Sequence, residues 1–260
     1  MALSRGPVGI LDSGVGGLAV LRQIRKLMPN QDLWYVADQS HAPYGERSLQ
    51  QVRDRAVAVS ASLVDRGAGV IVVACNSASA AALHHLREVF SETSFVGMEP
   101  AVKPAALSSA TGIVGVLATE ATFQGELFAS VVDRHARDVA VIARACPGLA
   151  EAIEELPIDD PLLDLMLHAY VDPIIGRNAD VLVLGCTHYS FVGDHIARIA
   201  GGDVQVIDPA PAIAGRLASV IGAGGGRGEL VLETTADPMR FGAQVQRLLG
   251  LAVEPRHTTV

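Results

Sequence analysis

The segments VIVVACNS (70–77) and VLVLGCTH (181–188) decide the fold, because each is an apolar run that ends in a cysteine and polar residues. A second pair, VGILDS (8–13) and VGVLAT (114–119), precedes them in the same order and at a similar separation. Short continuous apolar runs are typical of strands that are buried on both faces of a parallel sheet. The repeated order therefore predicts two similar α/β halves.

Segments with helical period separate these runs, as in GLAVLRQIRKL (17–27) and SLQQVRDRAVAVSASLV (48–64). This alternation predicts parallel sheets wrapped by helices. Ser48 and Gln51 predict a capping box at the start of the second helix, and Gly67 predicts its end.

The predicted fold class is α/β, with two pseudo-symmetric α/β domains, mostly parallel sheets and an active site in the cleft between them. The prolines of EPAVKPA interrupt the pattern after residue 98, and DPAP begins a tail after Ile207. We expect a first domain of residues 1–98 plus 209–260 and a second domain of residues 99–208. The tail is expected to contain a helix, a strand and a last helix that complete the first domain.

The composition of the chain argues against several classes of partner. Charged residues make up 18% of the chain and the net charge is -8, which argues against a nucleic-acid partner. The sequence contains neither an apolar run of about 18 residues nor a secretory leader, so we expect no membrane association and a cytoplasmic location. Cys75, Cys146 and Cys186 are widely spaced without a CxxC motif, which predicts free thiols.

Gly14, Gly16 and Gly17 lie between a predicted strand and helix, where phosphate-binding loops occur. Their spacing matches neither GxGxxG nor GxxxxGK[ST], and Asp12 would repel a phosphate. We therefore predict a tight turn that presents Asp12 and Ser13 to a polar substrate.

Cys75 and Cys186 occupy matching positions at strand ends, where ligands of parallel sheets collect. A helix start after each cysteine would stabilise the thiolate and make it a better base. A nucleophilic hydrolase needs one cysteine and a histidine, and a disulfide oxidoreductase needs a close pair. Two equivalent thiols across a cleft instead suit inversion of a carbon centre, where one group removes a proton and the other returns one to the opposite face.

No cofactor is expected. Pyridoxal phosphate racemases hold their cofactor on a lysine, and the only lysines are Lys26, in an amphipathic helix, and Lys103, in the proline-flanked segment. A zinc site at Cys186 and His188 lacks two further ligands with suitable spacing, so no metal is predicted.

Five segments of the chain resemble the cofactor-independent glutamate racemases of the aspartate/glutamate racemase superfamily, over about residues 8 to 208. These segments are GILDSGVGGLAVL (9–21), APYGER (42–47), VVACNSASA (72–80), GVLATEAT (115–122) and LVLGCTHYSF (182–191).

The resemblance implies that Cys75 serves the D-enantiomer and Cys186 the L-enantiomer, assisted by Asp12 and His188. It implies that Asp12 and His188 also contact the substrate. The other substrate-binding residues that it implies are Ser13, Pro43, Tyr44, Gly45, Asn76, Ser77, Thr119, Thr122 and Thr187. Glu154 matches a family glutamate, and the sequence gives it no role.

The same resemblance implies an enzyme that supplies D-glutamate for peptidoglycan synthesis, and so for the cell wall and cell shape. The expected partner is a small molecule, L- or D-glutamate, and a homodimer is left open. Two alternatives also stay open: an aspartate racemase or related isomerase on the same fold, and a two-lobed amino-acid binding protein without catalysis.

Overall fold

The computed structural model describes residues 6–124, 126–222 and 225–260, and it confirms the α/β prediction. The strands are β1 (Val8–Asp12), β2 (Leu33–Ala37), β3 (Val70–Val73), β4 (Ser94–Gly97), β5 (Ile113–Ala118), β6 (Ala140–Ala145), β7 (Val181–Gly185), β8 (Gln205–Ile207), β9 (Leu230–Thr234) and β10 (Arg256–His257). The helices are α1 (Leu18–Leu27), α2 (Leu49–Asp65), α3 (Asn76–Val89), α4 (Val102–Ser108), α5 (Glu120–Gln124), α6 (Glu126–His135), α7 (Leu149–Glu155), α8 (Pro161–Ile175), α9 (Gly193–Ala200), α10 (Ala210–Ile221) and α11 (Pro238–Leu249).

The strands form two parallel sheets whose orders are β10-β9-β2-β1-β3-β4 and β6-β5-β7-β8. The order β2-β1-β3-β4 in the first sheet corresponds to β6-β5-β7-β8 in the second. The register repeats as well, because Val8 pairs with Val70 and Val114 pairs with Val181. These are the first residues of the repeated segments, so the prediction of two similar halves is confirmed.

Helices cover both faces of each sheet, which explains why the central strands are apolar throughout. Along β3, Val70 and Val72 pack on the face that carries α1, α10 and α11, whereas Ile71 and Val73 pack against α2 and α3. In the second half, α4 and α6 cover one face of the sheet and α7, α8 and α9 cover the other.

Local sequence signals predicted the start and the end of α2 correctly. The capping box of Ser48 and Gln51 is present at the start of α2, and Gly67 follows its end with a φ of 95°. The prolines after residue 98 do not interrupt regular structure for long, because α4 contains Pro104. Pro104 lies in the first helical turn, where its missing N–H costs no hydrogen bond.

The tail contains α10, β9 and α11, as predicted, and β9 pairs with β2 of the first sheet. The exact domain limits at residues 98/99 and 208/209 stay a prediction. Among the described residues, no helix is both long and apolar enough to cross a membrane.

Candidate active site

A cavity of about 420 Å³ lies between the two halves, at the carboxyl ends of their strands. Both halves contribute to its wall, which also includes Arg240 of α11 and Asp237, the N-cap residue of that helix. Cys75, which follows β3, and Cys186, which follows β7, both line it and are almost fully buried, with 5% and 6% of their surface exposed. The repeated sequence positions therefore reach one common cleft. All three cysteines are free, as predicted.

Cys75 caps the N-terminus of α3. Its Sγ accepts a hydrogen bond from the N–H of Ala78 at 3.5 Å and lies 3.5 Å from the Oγ of Ser13. Burial raises the pKa of the Cys75 thiol to about 11, the nearby charge of Asp12 adds to the rise, and the Ala78 N–H opposes it. The helix start lowers the pKa of the Cys75 thiol, as expected, but burial outweighs this contribution and leaves the pKa above its ordinary value.

Asp12 ends β1 and is fully buried. Its Oδ2 accepts hydrogen bonds from the N–H of Gly17 and the hydroxyl of Tyr35, each at 2.8 Å. Burial raises the pKa of the Asp12 carboxyl, although His188 and these two donors oppose the rise. Its other oxygen, Oδ1, is buried with no hydrogen-bond partner in the described part of the chain.

His188 lies between a thiol and a carboxylate. Its Nδ1 is 3.7 Å from the Sγ of Cys186, and its Nε2 is 2.7 Å from the Oε1 of Glu154. Burial would lower the pKa of His188, but the hydrogen bonds to Cys186 and Glu154 outweigh burial and raise it well above its usual value. Burial likewise acts to raise the pKa of Glu154, and the bond with His188 reverses this effect and lowers it. The geometry favours an imidazolium held by a carboxylate beside the Cys186 thiol.

The segment after Cys186 differs from the prediction. A short 3-10 helix, Thr187–Phe191, follows the cysteine, and the α-helix α9 begins only at Gly193. The thiol of Cys186 is therefore paired with a histidine two residues along the chain, whereas the thiol of Cys75 receives a helical N–H. The two matched cysteines have different surroundings.

The glycine-rich turn brings the two halves together. A Cβ on Gly16 would lie 2.5 Å from both the Nδ1 of His188 and the Oγ1 of Thr187. A Cβ on Gly14 would lie 3.0 Å from the Oε1 of Glu154. The glycines thus allow close approach to the Cys186 side of the cleft, in a tight turn of the predicted kind.

Hydroxyl groups also join the halves. The Oγ of Ser77 and the Oγ1 of Thr119 are 2.9 Å apart, and Thr119 also lies 3.0 Å from the Oγ1 of Thr122. Tyr44 is buried against the cleft and donates to the Oδ2 of Asp38 at 2.7 Å. Both polar side-chain atoms of Asn76 are buried with no hydrogen-bond partner among the described residues, which suits a polar ligand.

Most of the residues suggested by sequence border the cavity. They are Ser13, Pro43, Tyr44, Gly45, Cys75, Asn76, Ser77, Thr119, Glu154, Cys186, Thr187 and His188. Asp12 and Thr122 do not line it. Asp12 lies behind the wall, bonded to Gly17 and Tyr35, whereas Thr122 contacts Thr119, which borders the cavity.

Sequence reasoning missed Gln39, Cys146, Glu120 and Arg240, which also line the cleft. Gln39 and Arg240 come from distant parts of the chain and follow no recognisable spacing. Cys146 had a local signal, since it follows β6 as Cys186 follows β7, but its pKa is raised to about 12 by burial.

Lys26 and Lys103 lie on α1 and α4 and do not border the cavity. In residues 6–124, 126–222 and 225–260, no group of three or more His, Cys, Asp or Glu side chains is arranged to hold a metal ion. Arg240 is the only arginine or lysine along the cavity wall within those ranges.

Known proteins resemble this chain along almost its whole length. A family model described as Asp/Glu/Hydantoin racemase matches residues 16–217. A glutamate racemase from Roseiflexus sp. (strain RS-1) is 47% identical over 249 residues, covering 93% of this chain and 92% of that protein.

Solved structures of glutamate racemases have a closely similar fold. The glutamate racemase isoform RacE1 from Bacillus anthracis superimposes with a TM-score of 0.88 at 29% identity, covering 98% of this chain and 97% of that one. A Francisella tularensis glutamate racemase in complex with D-glutamate gives a TM-score of 0.85 at 26% identity, with the same coverage. The resemblance seen in the sequence motifs is thereby confirmed. The chain belongs to the Asp/Glu/hydantoin racemase family, and within it to the glutamate racemases.

Proposed function

We propose that this protein is a cofactor-independent glutamate racemase that interconverts L- and D-glutamate with two cysteine bases. The observation that carries the proposal is the pair of buried thiols, Cys75 and Cys186, which follow equivalent strands and line one cavity. Proton transfer at opposite faces of Cα needs two such groups, and either can act as the acid when the other acts as the base.

In the direction from L- to D-glutamate, the Cys186 thiolate takes the α-proton and the Cys75 thiol delivers a proton to the opposite face. The reverse reaction exchanges these roles. The imidazolium of His188 places its Nδ1 3.7 Å from the Sγ of Cys186, where it can donate a hydrogen bond to that sulfur. A substrate ammonium group beside Cys75 would stabilise the Cys75 thiolate and would offset the burial that raises the pKa of that thiol.

Substrate binding relies on backbone and polar groups. Ser13, Asn76, Ser77 and Thr187 line the cavity, and the unpaired amide of Asn76 offers both a donor and an acceptor to a carboxylate or ammonium group. Pro43, Tyr44 and Gly45 form part of the cavity wall. Gly45 lies next to Thr119, since a Cβ on Gly45 would be 3.1 Å from the Cβ of Thr119.

The proposal includes a cytoplasmic role in supplying D-glutamate for peptidoglycan, and hence for cell-wall synthesis and cell shape. The homodimer left open by the sequence stays a prediction, which sedimentation of the purified protein tests. The similarity to a glutamate racemase, 47% identical over 93% of the chain, favours glutamate over aspartate as the substrate.

The test is circular dichroism of L-glutamate and L-aspartate solutions, each incubated with purified protein and no added cofactor. We expect the glutamate signal to decay to zero as the racemate forms. Decay of the aspartate signal alone would contradict the choice of substrate. A Cys75→Ser variant that bound glutamate normally, in a protein whose wild type left both signals unchanged, would instead support the non-catalytic binding protein.

A further inference from the structure

A chain of side-chain hydrogen bonds leads from the first sheet to the Cys186 side of the cleft. Thr234, at the end of β9, donates to the Oε1 of Gln39 at 2.8 Å. The Nε2 of Gln39 donates to the Oε1 of Gln244 at 2.7 Å, and the Nε2 of Gln244 lies 3.4 Å from the Oε2 of Glu154. Glu154 in turn holds His188, so the chain ends one contact from the Cys186 thiol.

The direction of every bond in this chain is fixed by chemistry. An ionised carboxylate only accepts hydrogen bonds, so Gln244 must turn its NH₂ group towards Glu154. Its carbonyl oxygen then faces Gln39, which must present its own NH₂ group there. The carbonyl of Gln39 is left for the hydroxyl of Thr234, whose oxygen already accepts the N–H of Ala236 at 3.1 Å.

This chain of hydrogen bonds is partly buried and connects the two halves. Thr234 is fully buried and Gln244 is 6% exposed, so water competes little for their hydrogen bonds. Three of its residues belong to the first half: Thr234 lies on β9, Gln39 in the segment after β2, and Gln244 on α11. The fourth, Glu154, lies on α7 of the second half. Arg247 of α11 adds main-chain contacts to α7, donating to the carbonyls of Ile153 and Leu156 at 2.9 and 2.7 Å.

We propose that Gln39 and Gln244 are positioning residues for racemisation, which hold Glu154 ionised and oriented so that His188 stays a hydrogen-bond donor to Cys186. The inference rests on the proposed function. Neither glutamine needs to touch the reacting atoms, since their effect passes through the carboxylate.

Other titratable groups that face the Glu154 carboxylate also interact with its charge. His188 and Arg240 are cationic and lower the pKa of Glu154, with Arg240 also paired to Glu155. Tyr35 on β2 is close enough for the charge of Glu154 to raise the pKa of its phenol, and it stays neutral. The amide of Gln244 adds a further donor to the ionised form, so its removal raises the pKa of Glu154.

The test replaces Gln244 by leucine, which keeps the approximate volume and removes the donor. Gln246→Leu is the matched control, because Gln246 lies on the exposed side of the same helix. We expect Gln244→Leu to lower kcat about tenfold with KM within about twofold, and to move the acid limb of kcat/KM to higher pH, because a hydrogen bond to a charged group contributes on the order of this factor. Gln39→Leu should act in the same direction, since it frees the Gln244 amide to turn away.

Half-reactions separate this role from a general loss of structure. In a Cys75→Ser background, exchange of the α-proton of L-glutamate reports on Cys186 alone, and Gln244→Leu should slow it. In a Cys186→Ser background, exchange of the α-proton of D-glutamate reports on Cys75, and Gln244→Leu should leave it unchanged.

The kinetic results separate the positioning role of Gln244 from the proposed racemase function. If wild-type protein racemises glutamate and Gln244→Leu matches Gln246→Leu in kcat and pH profile, the positioning role is overturned and the proposed function stands. Equal slowing of both half-reactions would also overturn it, because the glutamine would then act on the whole cleft. If wild-type protein does not racemise glutamate, both the proposed function and this inference fail.

Discussion

Replacing Gly16 by alanine should damage both catalysis and stability. The added Cβ would lie 2.5 Å from the Nδ1 of His188 and the Oγ1 of Thr187, whereas non-bonded heavy atoms rest about 3.5 Å apart or more. The turn or the histidine must therefore move by about 1 Å. The φ of Gly16 is not positive, so the backbone itself accepts alanine and the clash is the whole effect.

A displacement of about 1 Å at a catalytic group can cost about 100-fold in rate. We expect kcat/KM of Gly16→Ala to fall by about that factor, and overpacking to cost about 1–3 kcal/mol of unfolding free energy. Racemisation followed by circular dichroism and thermal unfolding followed at the same wavelength range give the two quantities.

Gly215→Ala is the matched control, because a Cβ there meets nothing within 4 Å on the exposed side of α10. Alanine at this helical position should raise stability by about 0.5–1 kcal/mol and leave kcat/KM unchanged. A Gly16→Ala protein with wild-type kcat/KM would refute the claim that the glycine turn sets the position of His188.

Three further predictions concern the proposed acids and bases. Asp12→Asn and His188→Asn should each lower kcat more than they raise KM, and changes in KM alone would contradict their role in proton transfer. In a protein with Cys146→Ser and Cys186→Ser, alkylation of Cys75 by iodoacetamide should accelerate about tenfold per pH unit from pH 7 to 9, because the pKa of about 11 leaves little thiolate. A rate that reached a plateau near neutral pH would contradict the effect of burial on this pKa. Cys75→Ser and Cys186→Ser should each abolish racemisation in both directions, and near-normal activity in either variant would exclude the two-base assignment.

Much of the fold could be predicted because it depends on local patterns. The runs at Val70 and Val181 are buried on both faces of their sheets, so they are apolar at every position and easily recognised. The repetition of these runs predicted two similar halves, and the structure repeats the strand register, because Val8 pairs with Val70 and Val114 pairs with Val181.

The site was only partly predictable, because its finer properties depend on contacts between distant segments. Cys75 follows its strand as expected, yet the pKa of its thiol depends on burial among residues that are distant in sequence, such as Leu11 and Tyr44. Gln39 and Gln244 meet across the fold and belong to no motif. Asp12 was expected at the cleft surface, and the structure places it behind the wall, held by Tyr35 from the neighbouring strand.

The most direct test of the two-base account is racemisation in heavy water. L-glutamate is incubated with wild-type protein in D₂O, and the α-position of each enantiomer is followed by NMR and mass spectrometry during the first turnovers. Because the removed proton stays on one thiol while the other delivers a solvent-derived deuteron, product D-glutamate should carry deuterium at Cα while remaining L-glutamate stays largely unlabelled. Label that entered the substrate as fast as the product from the first turnover would contradict separate bases at Cys75 and Cys186.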